Sequence, residues 1–276
     1  MTSQLDKAAA FKALHAQRAA FVIPNPWDAG TAMMLARLGF EALATTSAGF
    51  AFSIGRPDGT GAVGRDEALA HARVIVGATD LPVSADLENG FGDAPEACAE
   101  TIRQAAAAGL VGGSIEDATG RADDPIYPLD QALARVKAAV AAARSLPLPF
   151  MLTARAENFL HGRPDIDDTL RRLRAFADAG ADVLYAPGLT TREQIGAVVQ
   201  AVAPKPVNVV MGLARADFTV AALGALGVKR ISVGSALART AYGAFLRAAR
   251  EIAGPGSFGF AKEAVPFAEI NGMFGA

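Results

Sequence analysis

Short apolar runs alternate with longer amphipathic segments along most of the 276 residues, and this alternation constrains the fold more than any other feature. The segments between the runs, for example 94–108, 129–143 and 166–179, carry apolar residues at i, i+3 and i+4, the spacing of an amphipathic helix. The predicted strands are residues 21–24, 41–45, 82–86, 113–116, 149–154, 182–185, 206–209 and 230–233. Several predicted helices end in a glycine, which suits the left-handed residue after a helix; these are Gly39, Gly109, Gly180 and Gly227.

Eight strands alternating with helices predict the α/β class, as a closed parallel (β/α)8 barrel of the TIM type. A doubly wound open sheet is the alternative, but its nucleotide-binding form needs a glycine fingerprint after the first strand, where this chain has NPWDAG. We expect one barrel domain over residues 1–276, with 254–276 as an apolar, helical C-terminal extension. A barrel does not need this extension, so we expect it to pack against another subunit of a homo-oligomer (dimer or tetramer) or over its own barrel.

Composition limits the partners. The net charge is −2, which gives no reason to expect binding to nucleic acid or to a membrane surface. The chain has a single cysteine, Cys98, and its N-terminal segment lacks the apolar stretch of a signal peptide. We therefore expect a cytoplasmic protein whose ligand is a small molecule.

Acidic residues follow neighbouring strands at the end where barrel enzymes place their active sites. Asp86 and Glu88 follow the third strand, and Glu116 ends the fourth. Carboxylates that meet at one place repel one another unless a cation lies between them, and ligands that are all oxygen favour Mg²⁺ or Mn²⁺. We predict these three residues as metal ligands. The alternative role, a helix N-cap, fits Asp93 and Asp165 better.

A single arginine, Arg155, ends the apolar fifth strand and is expected to lie across from the carboxylates. A buried arginine needs a partner, and its planar fork suits a substrate carboxylate. A salt bridge to Glu157 or Glu116 is the alternative. Asn208, at the end of the seventh strand, is a further candidate for binding the substrate.

Four segments, TTSAGFAFSIGRPDG, VSADLENGFG, GSIEDATG and MLTARAEN, resemble in order and spacing the motifs of the isocitrate lyase/phosphoenolpyruvate mutase superfamily. The resemblance covers nearly the whole predicted barrel. It implies that Ser47, Ala48 and Gly49 bind the 2-oxo acid end of a substrate, largely through backbone N–H groups. It also implies that Asp58 lies near the metal and that Asp86 binds the metal directly.

Glu88 stands where many members of the superfamily have aspartate. The resemblance also matches Glu116 to the glutamate of the fourth strand and Arg155 to the arginine that faces the substrate. Asp58, Glu116 and Arg155 are therefore the expected catalytic residues. Members of the superfamily are often tetramers that exchange their C-terminal helix.

The loop after the fourth strand departs from the superfamily. The isocitrate and methylisocitrate lyases carry a Lys-Lys-Cys-Gly-His type loop with a catalytic cysteine, and the mutases carry Lys and Asn there. This chain has ATGRADDPIYP at 118–128, a loop that could close as a lid. The proton donor is left open between water on the metal, Tyr127, Arg121 and Glu157.

The resemblance therefore implies an Mg²⁺-dependent (or Mn²⁺-dependent) lyase or decarboxylase that acts on a small 2-oxo or 2-hydroxy carboxylic acid through a pyruvate-type enolate. The alternatives are a weakly active or non-catalytic binder of 2-oxo acids, and a phosphonopyruvate-type mutase or hydrolase. A third alternative is a barrel isomerase that binds phosphate at Gly234 and Ser235.

Overall fold

A computed structural model describes residues 2–17, 19–212 and 218–275 of the chain; Met1, Arg18, 213–217 and Ala276 lie outside the description. The strands follow buried apolar runs, and each begins and ends within two residues of its predicted bounds. They are β1 (Phe21–Ile23), β2 (Leu43–Ala44), β3 (Val83–Asp86), β4 (Gly112–Glu116), β5 (Met151–Arg155), β6 (Val183–Tyr185), β7 (Val207–Val210) and β8 (Arg230–Ser232).

All the strands are parallel and lie in the order β1-β8-β7-β6-β5-β4-β3-β2. The gap between β1 and β2 is bridged by one backbone hydrogen bond, in which Ala44 N donates to the oxygen of Pro24 at 3.0 Å. This nearly closed ring confirms the predicted (β/α)8 barrel and excludes the open sheet.

Helices separate the strands, as the periodicity predicts. The four glycines expected to end helices all have positive φ, between 84° and 101°. The helices are α1 (Gln4–Ala16), α2 (Ala29–Arg37), α3 (Ser47–Ser53), α4 (Arg65–Gly77), α5 (Pro95–Ala107), α6 (Leu129–Arg144), α7 (Ile166–Asp178), α8 (Arg192–Val202), α9 (Val220–Ala225), α10 (Ala236–Ala253) and α11 (Phe267–Gly272), with a 3₁₀ helix at Gly259–Lys262.

Helix α1 covers the N-terminal end of the barrel. Its buried side chains Phe11 and Leu14 pack with Phe21 and Ile23 of β1 and with the first residues of β5 and β6. The opposite, C-terminal end of the strands is left open, so this end can hold a binding site.

The C-terminal segment is helical but does not pack into the barrel. Between 255 and 275 almost every residue is exposed, and Phe267 is 84% exposed. The end of the segment does contact its own barrel, because Arg37 of α2 donates to the backbone oxygen of Gly272 at 3.1 Å and the Phe274 ring lies beside Gly30. Packing of the rest over its own barrel remains a prediction. Burial against another subunit and a single domain over 1–276 remain predictions.

No helix in the described ranges is both long and apolar enough to cross a membrane. The cytoplasmic location remains a prediction.

Candidate active site

A cavity of about 700 Å³ opens at the C-terminal end of the barrel. Its floor is formed by side chains from the strand ends, and its walls by the loops after β2, β4 and β5. The lining includes Ser47, Asp58, Glu88, Glu116, Arg155, Glu157 and, from the loops, 59–61, 118–121, Leu160 and His161. The structure therefore brings together most of the residues that the sequence singled out. Five of them line the cavity, namely Ser47, Asp58, Glu88, Glu116 and Arg155. Asp86 is not part of the lining, but it is bonded to Ser47 and Arg155.

Arg155 is at the centre of the floor. Its Nε donates to Glu157 Oε1 at 2.7 Å, Nη1 to Asp86 Oδ1 at 3.0 Å, and Nη2 lies 3.3 Å from Glu116 Oε2. The guanidinium also lies over the ring of Tyr185, 5.0 Å from its centroid. The expectation that Arg155 lies across from the carboxylates is wrong, because the residue pairing of β4 with β5 sets Arg155 directly beside Glu116. The predicted salt bridges to Glu157 and Glu116 are both formed.

Asp86 joins the arginine to the loop after β2. Its Oδ2 accepts a hydrogen bond from Ser47 Oγ at 3.0 Å, and its backbone N–H donates to Thr45 Oγ1 at 3.0 Å. Ser47 begins α3, whose N-cap is Thr46. The carboxylate of Asp86 is therefore held between a cation and a hydroxyl group.

The first turn of α3 holds the three residues expected to bind an acid. Gly49 N–H donates to Thr46 Oγ1 at 3.2 Å, and Ser47 N–H lies 3.5 Å from the Asp86 carboxylate. Ala48 N–H is therefore the donor of this turn without an acceptor in the described part of the chain. A side chain at Gly49 would have its Cβ only 2.5 Å from Thr46 Cγ2, so glycine is required there by close packing.

The carboxylates raise one another's pKa. Burial, and then the charges of Asp86 and Asp58, raise the pKa of Glu88 to about 7. Burial and Asp86 also raise the pKa of Asp58, and burial raises that of Glu116 well above its usual value although Arg155 opposes this. For Arg155, burial disfavours the charge, but its carboxylate partners outweigh it and hold the pKa well above the usual value. The floor thus carries an excess of acidic groups over positive charge.

The carboxylates of the cavity floor are the type of ligand that a hard divalent cation prefers. Among the described residues no three His, Cys, Asp or Glu side chains are arranged to hold one ion together. The Arg155 guanidinium contacts both Asp86 and Glu116, so the predicted ligands Asp86, Glu88 and Glu116 do not surround a single point. Mg²⁺ keeps several of its waters in proteins, so one direct carboxylate with the others bound through water satisfies it. The all-oxygen, mutually repelling set fits such an ion, and the ligand roles remain predictions.

The sequence analysis did not predict a buried ion pair that lies behind the cavity floor. Asp117 Oδ2 lies 3.0 Å from Arg172 Nη1 on α7, and Asp117 Oδ1 accepts the backbone N–H of Glu157 at 2.8 Å. Burial raises the pKa of Asp117 to about 6, although the Glu157 N–H and Arg172 oppose this. An Asp directly after the strand-end Glu was the available signal, since neighbouring residues of a strand point to opposite faces. Asp117 fixes the backbone that carries Glu157.

Asn208 does not line the 700 Å³ cavity. It is 2% exposed, its Oδ1 accepts from Arg230 Nε at 2.9 Å, and its Nδ2 donates to Ser232 Oγ at 3.0 Å. Direct substrate binding by Asn208 is thus disfavoured, because both ends of its amide are bonded inside the barrel. Gly234 N–H likewise donates to Asn25 Oδ1 at 2.9 Å, which disfavours phosphate binding there.

The loop 118–128 is anchored at its base. Ala118 pairs with Ile126 in an antiparallel bridge, and Arg121 lies 3.1 Å from a carboxylate oxygen of Asp93. The hydroxyl of Tyr127 also donates to Asp93. Asp93 was expected to cap a helix; it binds the loop instead, and Asp165 does cap α7.

Arg135 of α6 fixes the other side of this anchor. Its guanidinium lies 4.2 Å from the centroid of the Tyr127 ring and donates to the backbone oxygens of Asn89, Gly92 and Asp93. Among the candidate proton donors, Tyr127 is fully buried under this packing and does not line the cavity, whereas Arg121 and Glu157 do.

Comparisons with known proteins agree with the resemblance that the sequence motifs indicate. The sequence profile of the phosphoenolpyruvate phosphomutase family matches residues 11–253. An uncharacterized protein of Mycobacterium tuberculosis (strain ATCC 25618 / H37Rv) is 35% identical over 264 residues, covering 95% of this chain and 94% of that protein. The 2,3-dimethylmalate lyase of Eubacterium barkeri is 33% identical over 191 residues, covering 66% of this chain and 63% of the lyase.

Two solved structures are also similar. A candidate lyase/mutase from Burkholderia cenocepacia J2315 superposes with a TM-score of 0.95 at 63% identity, covering 99% of this chain and 97% of that one. Oxaloacetate acetylhydrolase in complex with its product oxalate superposes with a TM-score of 0.87 at 26% identity, covering 99% and 95%.

Proposed function

The chain belongs to the phosphoenolpyruvate phosphomutase family, within the isocitrate lyase/phosphoenolpyruvate mutase superfamily, and we propose that it is an Mg²⁺-dependent lyase or decarboxylase of a small 2-oxo or 2-hydroxy carboxylic acid. One observation carries the proposal: Arg155, on the cavity floor, is bonded to Asp86 next to the first turn of α3. A cation, an anion able to hold a metal and a backbone donor are thus within one site.

The acid would be bound by N–H donors of Arg155 that are still free, with the metal supplying the positive charge that the floor lacks. A guanidinium has five N–H donors. The hydrogen bonds of Arg155 to Glu157 and Asp86 use one N–H on Nε and one on Nη1, and Nη2 lies 3.3 Å from Glu116, so each terminal nitrogen keeps at least one N–H for the acid. Ala48 N–H adds a backbone donor. These groups suit a carboxylate and an adjacent 2-oxo oxygen.

Asp86 would hold Mg²⁺ directly, with Asp58, Glu88 and Glu116 bound through water. The ion would polarise the 2-oxo group and offset the charge that develops on its oxygen when a bond at C3 breaks. The chain's own part is to orient the acid with Arg155 and to donate from the backbone of α3, the kind of fixed donor that stabilises an oxyanion.

The cavity loops would keep water away from the reacting acid. Arg121 and His161 come from different loops and both line the cavity above the floor. Because Arg121 is ion-paired with Asp93 and with Asp124, it holds its loop at the cavity wall.

The first test is a panel of C3-substituted 2-oxo and 2-hydroxy acids with Mg²⁺, alongside calorimetric titration of oxalate, a mimic of the pyruvate enolate. We expect turnover of at least one acid and oxalate binding that requires Mg²⁺ or Mn²⁺. Arg155→Gln should abolish both, whereas Arg103→Gln, which removes an exposed ion pair with Glu100 on α5 outside the cavity lining, should change neither.

The outcomes separate the alternatives. Metal-dependent oxalate binding with no turnover of any acid would identify a non-catalytic binder. Interconversion of phosphonopyruvate and phosphoenolpyruvate, or hydrolysis of phosphonopyruvate, would identify the mutase or hydrolase. Oxalate binding that does not need a metal would reject the proposed site.

A further inference from the structure

A second, smaller cavity of about 100 Å³ lies among the strands of the barrel and shares Arg155 with the floor of the first. Since a water molecule takes up about 30 Å³, it has room for roughly three waters or one small ion. Its lining includes Thr45, Ser84, Asp86, Ser114, Arg155, Tyr185, Asn208, Arg230 and Ser232.

Arg230 distinguishes this cavity from an ordinary polar gap. The residue is 5% exposed, and its guanidinium is bonded to neutral groups: Nε to Asn208 Oδ1 at 2.9 Å, Nη2 to Thr153 Oγ1 at 2.8 Å, and Nη1 to a ring nitrogen of His15 at 3.4 Å. Within residues 2–17, 19–212 and 218–275 it forms no ion pair with a carboxylate.

The other buried arginines of the site are neutralised differently. Arg155 is surrounded by three carboxylates, and Arg172 is paired with Asp117 and Asp168. Arg135 forms no ion pair in the described ranges, but it donates to three backbone oxygens, lies over the Tyr127 ring and lines neither cavity. Although burial lowers the pKa of Arg230 to about 10, the group remains protonated at neutral pH. A buried charge without a counter-charge is strongly unfavourable, so an anion bound next to Arg230 would stabilise the folded barrel.

The remaining lining favours an anion over a neutral occupant. Hydroxyl groups donate hydrogen bonds, and Thr45, Ser84 and Ser114 provide them around the cavity. Asp86 is the carboxylate in the lining, and its hydrogen bonds go to Arg155 and Ser47 rather than to Arg230. Within the described ranges, Arg230 therefore has no anionic partner in this cavity.

We propose that the inner cavity binds a small monovalent anion next to Arg230. The volume admits a halide ion or a single carboxylate group, and excludes a larger acid. The inner cavity shares Asp86 and Arg155 with the proposed reaction site, but Arg230 lines only the inner cavity, and anion binding next to it requires neither a divalent metal nor turnover.

The test uses bromide as the probe. Crystals of the whole chain soaked in sodium bromide should give an anomalous peak in the inner cavity. In solution, bromide at about ten times its Kd should raise the Tm by about 3–6 °C, compared with sodium gluconate, too large for the cavity, at equal ionic strength.

Two variants make the test specific. Arg230→Met removes the charge, and Ser114→Val keeps Arg230 but fills part of the cavity, so each should abolish the peak and the Tm shift. Arg56→Gln, outside the cavity, should keep both. If Arg230→Met does not fold, Ser114→Val still decides the question.

A parallel arm with formate or acetate distinguishes the sources of the anion. Bromide binding alone would assign the site to a halide, and carboxylate density without a bromide peak would assign it to the carboxylate end of a small acid. No anion in either arm, or an equal Tm shift in the variants, would overturn the proposal.

Discussion

Acid should destabilise the N-terminal end of the barrel through His15 of α1. The side chain is 6% exposed and packs edge-on against Phe11 and Phe21. Arginine has only N–H donors, so the His15 Nε2 facing Arg230 must be the acceptor, and Nδ1 then donates to the backbone oxygen of Phe11 at 2.8 Å. Protonation would turn a second N–H toward a guanidinium. Burial first, and then Arg230, lower the pKa of His15 to about 3.

The magnitude follows from the two pKa values. In the unfolded chain the imidazole takes up a proton near pH 6.5, and in the folded chain only near about 3. Because the unfolded state binds more protons between these values, the free energy of unfolding is at its full value above pH 6.5 and falls as the pH falls toward 3. Each pH unit in this range is worth about 1.4 kcal/mol, so acidification from about pH 7 to about pH 5 should remove about 2 kcal/mol.

The assay is urea unfolding of wild type and His15→Gln at both pH values. Since the variant lacks the titrating group, the destabilisation caused by the substitution should be smaller at the lower pH by about 2 kcal/mol. Leu14→Ala is the control: it removes a buried side chain from the same helix, should cost about 2–5 kcal/mol, and should cost the same at both pH values. Equal destabilisation by His15→Gln at the two pH values would show that the reasoning is wrong.

Four further predictions concern the site, its support and the C-terminal segment. Asp86→Asn should abolish Mg²⁺-dependent oxalate binding in calorimetry while changing the free energy of unfolding by less than about 1 kcal/mol, since it relieves repulsion on the floor; a large loss of stability would make Asp86 structural. Arg172→Met should cost about 3–5 kcal/mol in denaturant unfolding, because it leaves the Asp117 carboxylate buried without its partner, and adding Asp117→Asn should restore much of that loss; failure to restore it would argue against the pair. Gly49→Ala should cost about 1–3 kcal/mol and weaken oxalate binding, because the new Cβ has no room; unchanged oxalate affinity would separate this turn from the site. Phe267→Asp should lower the molar mass measured by sedimentation if the exposed C-terminal segment joins subunits of a homo-oligomer, and an unchanged mass would reject that role.

The barrel could be predicted from sequence because its strands are buried on both faces. Such strands are continuous apolar runs bounded by glycine and proline, and the amphipathic spacing of the helices separates them clearly. The C-terminal segment could not be placed in the same way. Its apolar residues indicate burial, but sequence does not tell whether the covering surface belongs to the same chain or to another.

The side chains of the site could be predicted only as a group. That Asp86, Glu116 and Arg155 gather at one end of the barrel follows from the common direction of parallel strands. Which atoms pair depends on the register between β4 and β5, which the sequence does not reveal. The contact of Asp117 with Arg172 joins residues 55 positions apart. It depends on how α7 packs against the end of β4, which the sequence does not reveal either.

The anchoring of the 118–128 loop by Arg135 divides that loop into a fixed base and an exchangeable tip. The base is held by the Arg135–Tyr127 contact, by the Ala118–Ile126 bridge and by the hydrogen bond of Tyr127 to Asp93 after β3. Residues 120–124 are exposed, and Gly120 and Arg121 line the cavity. Substitutions at the exposed tip can therefore change the groups that face the cavity while Tyr127 and Arg135 keep the base of the loop in place.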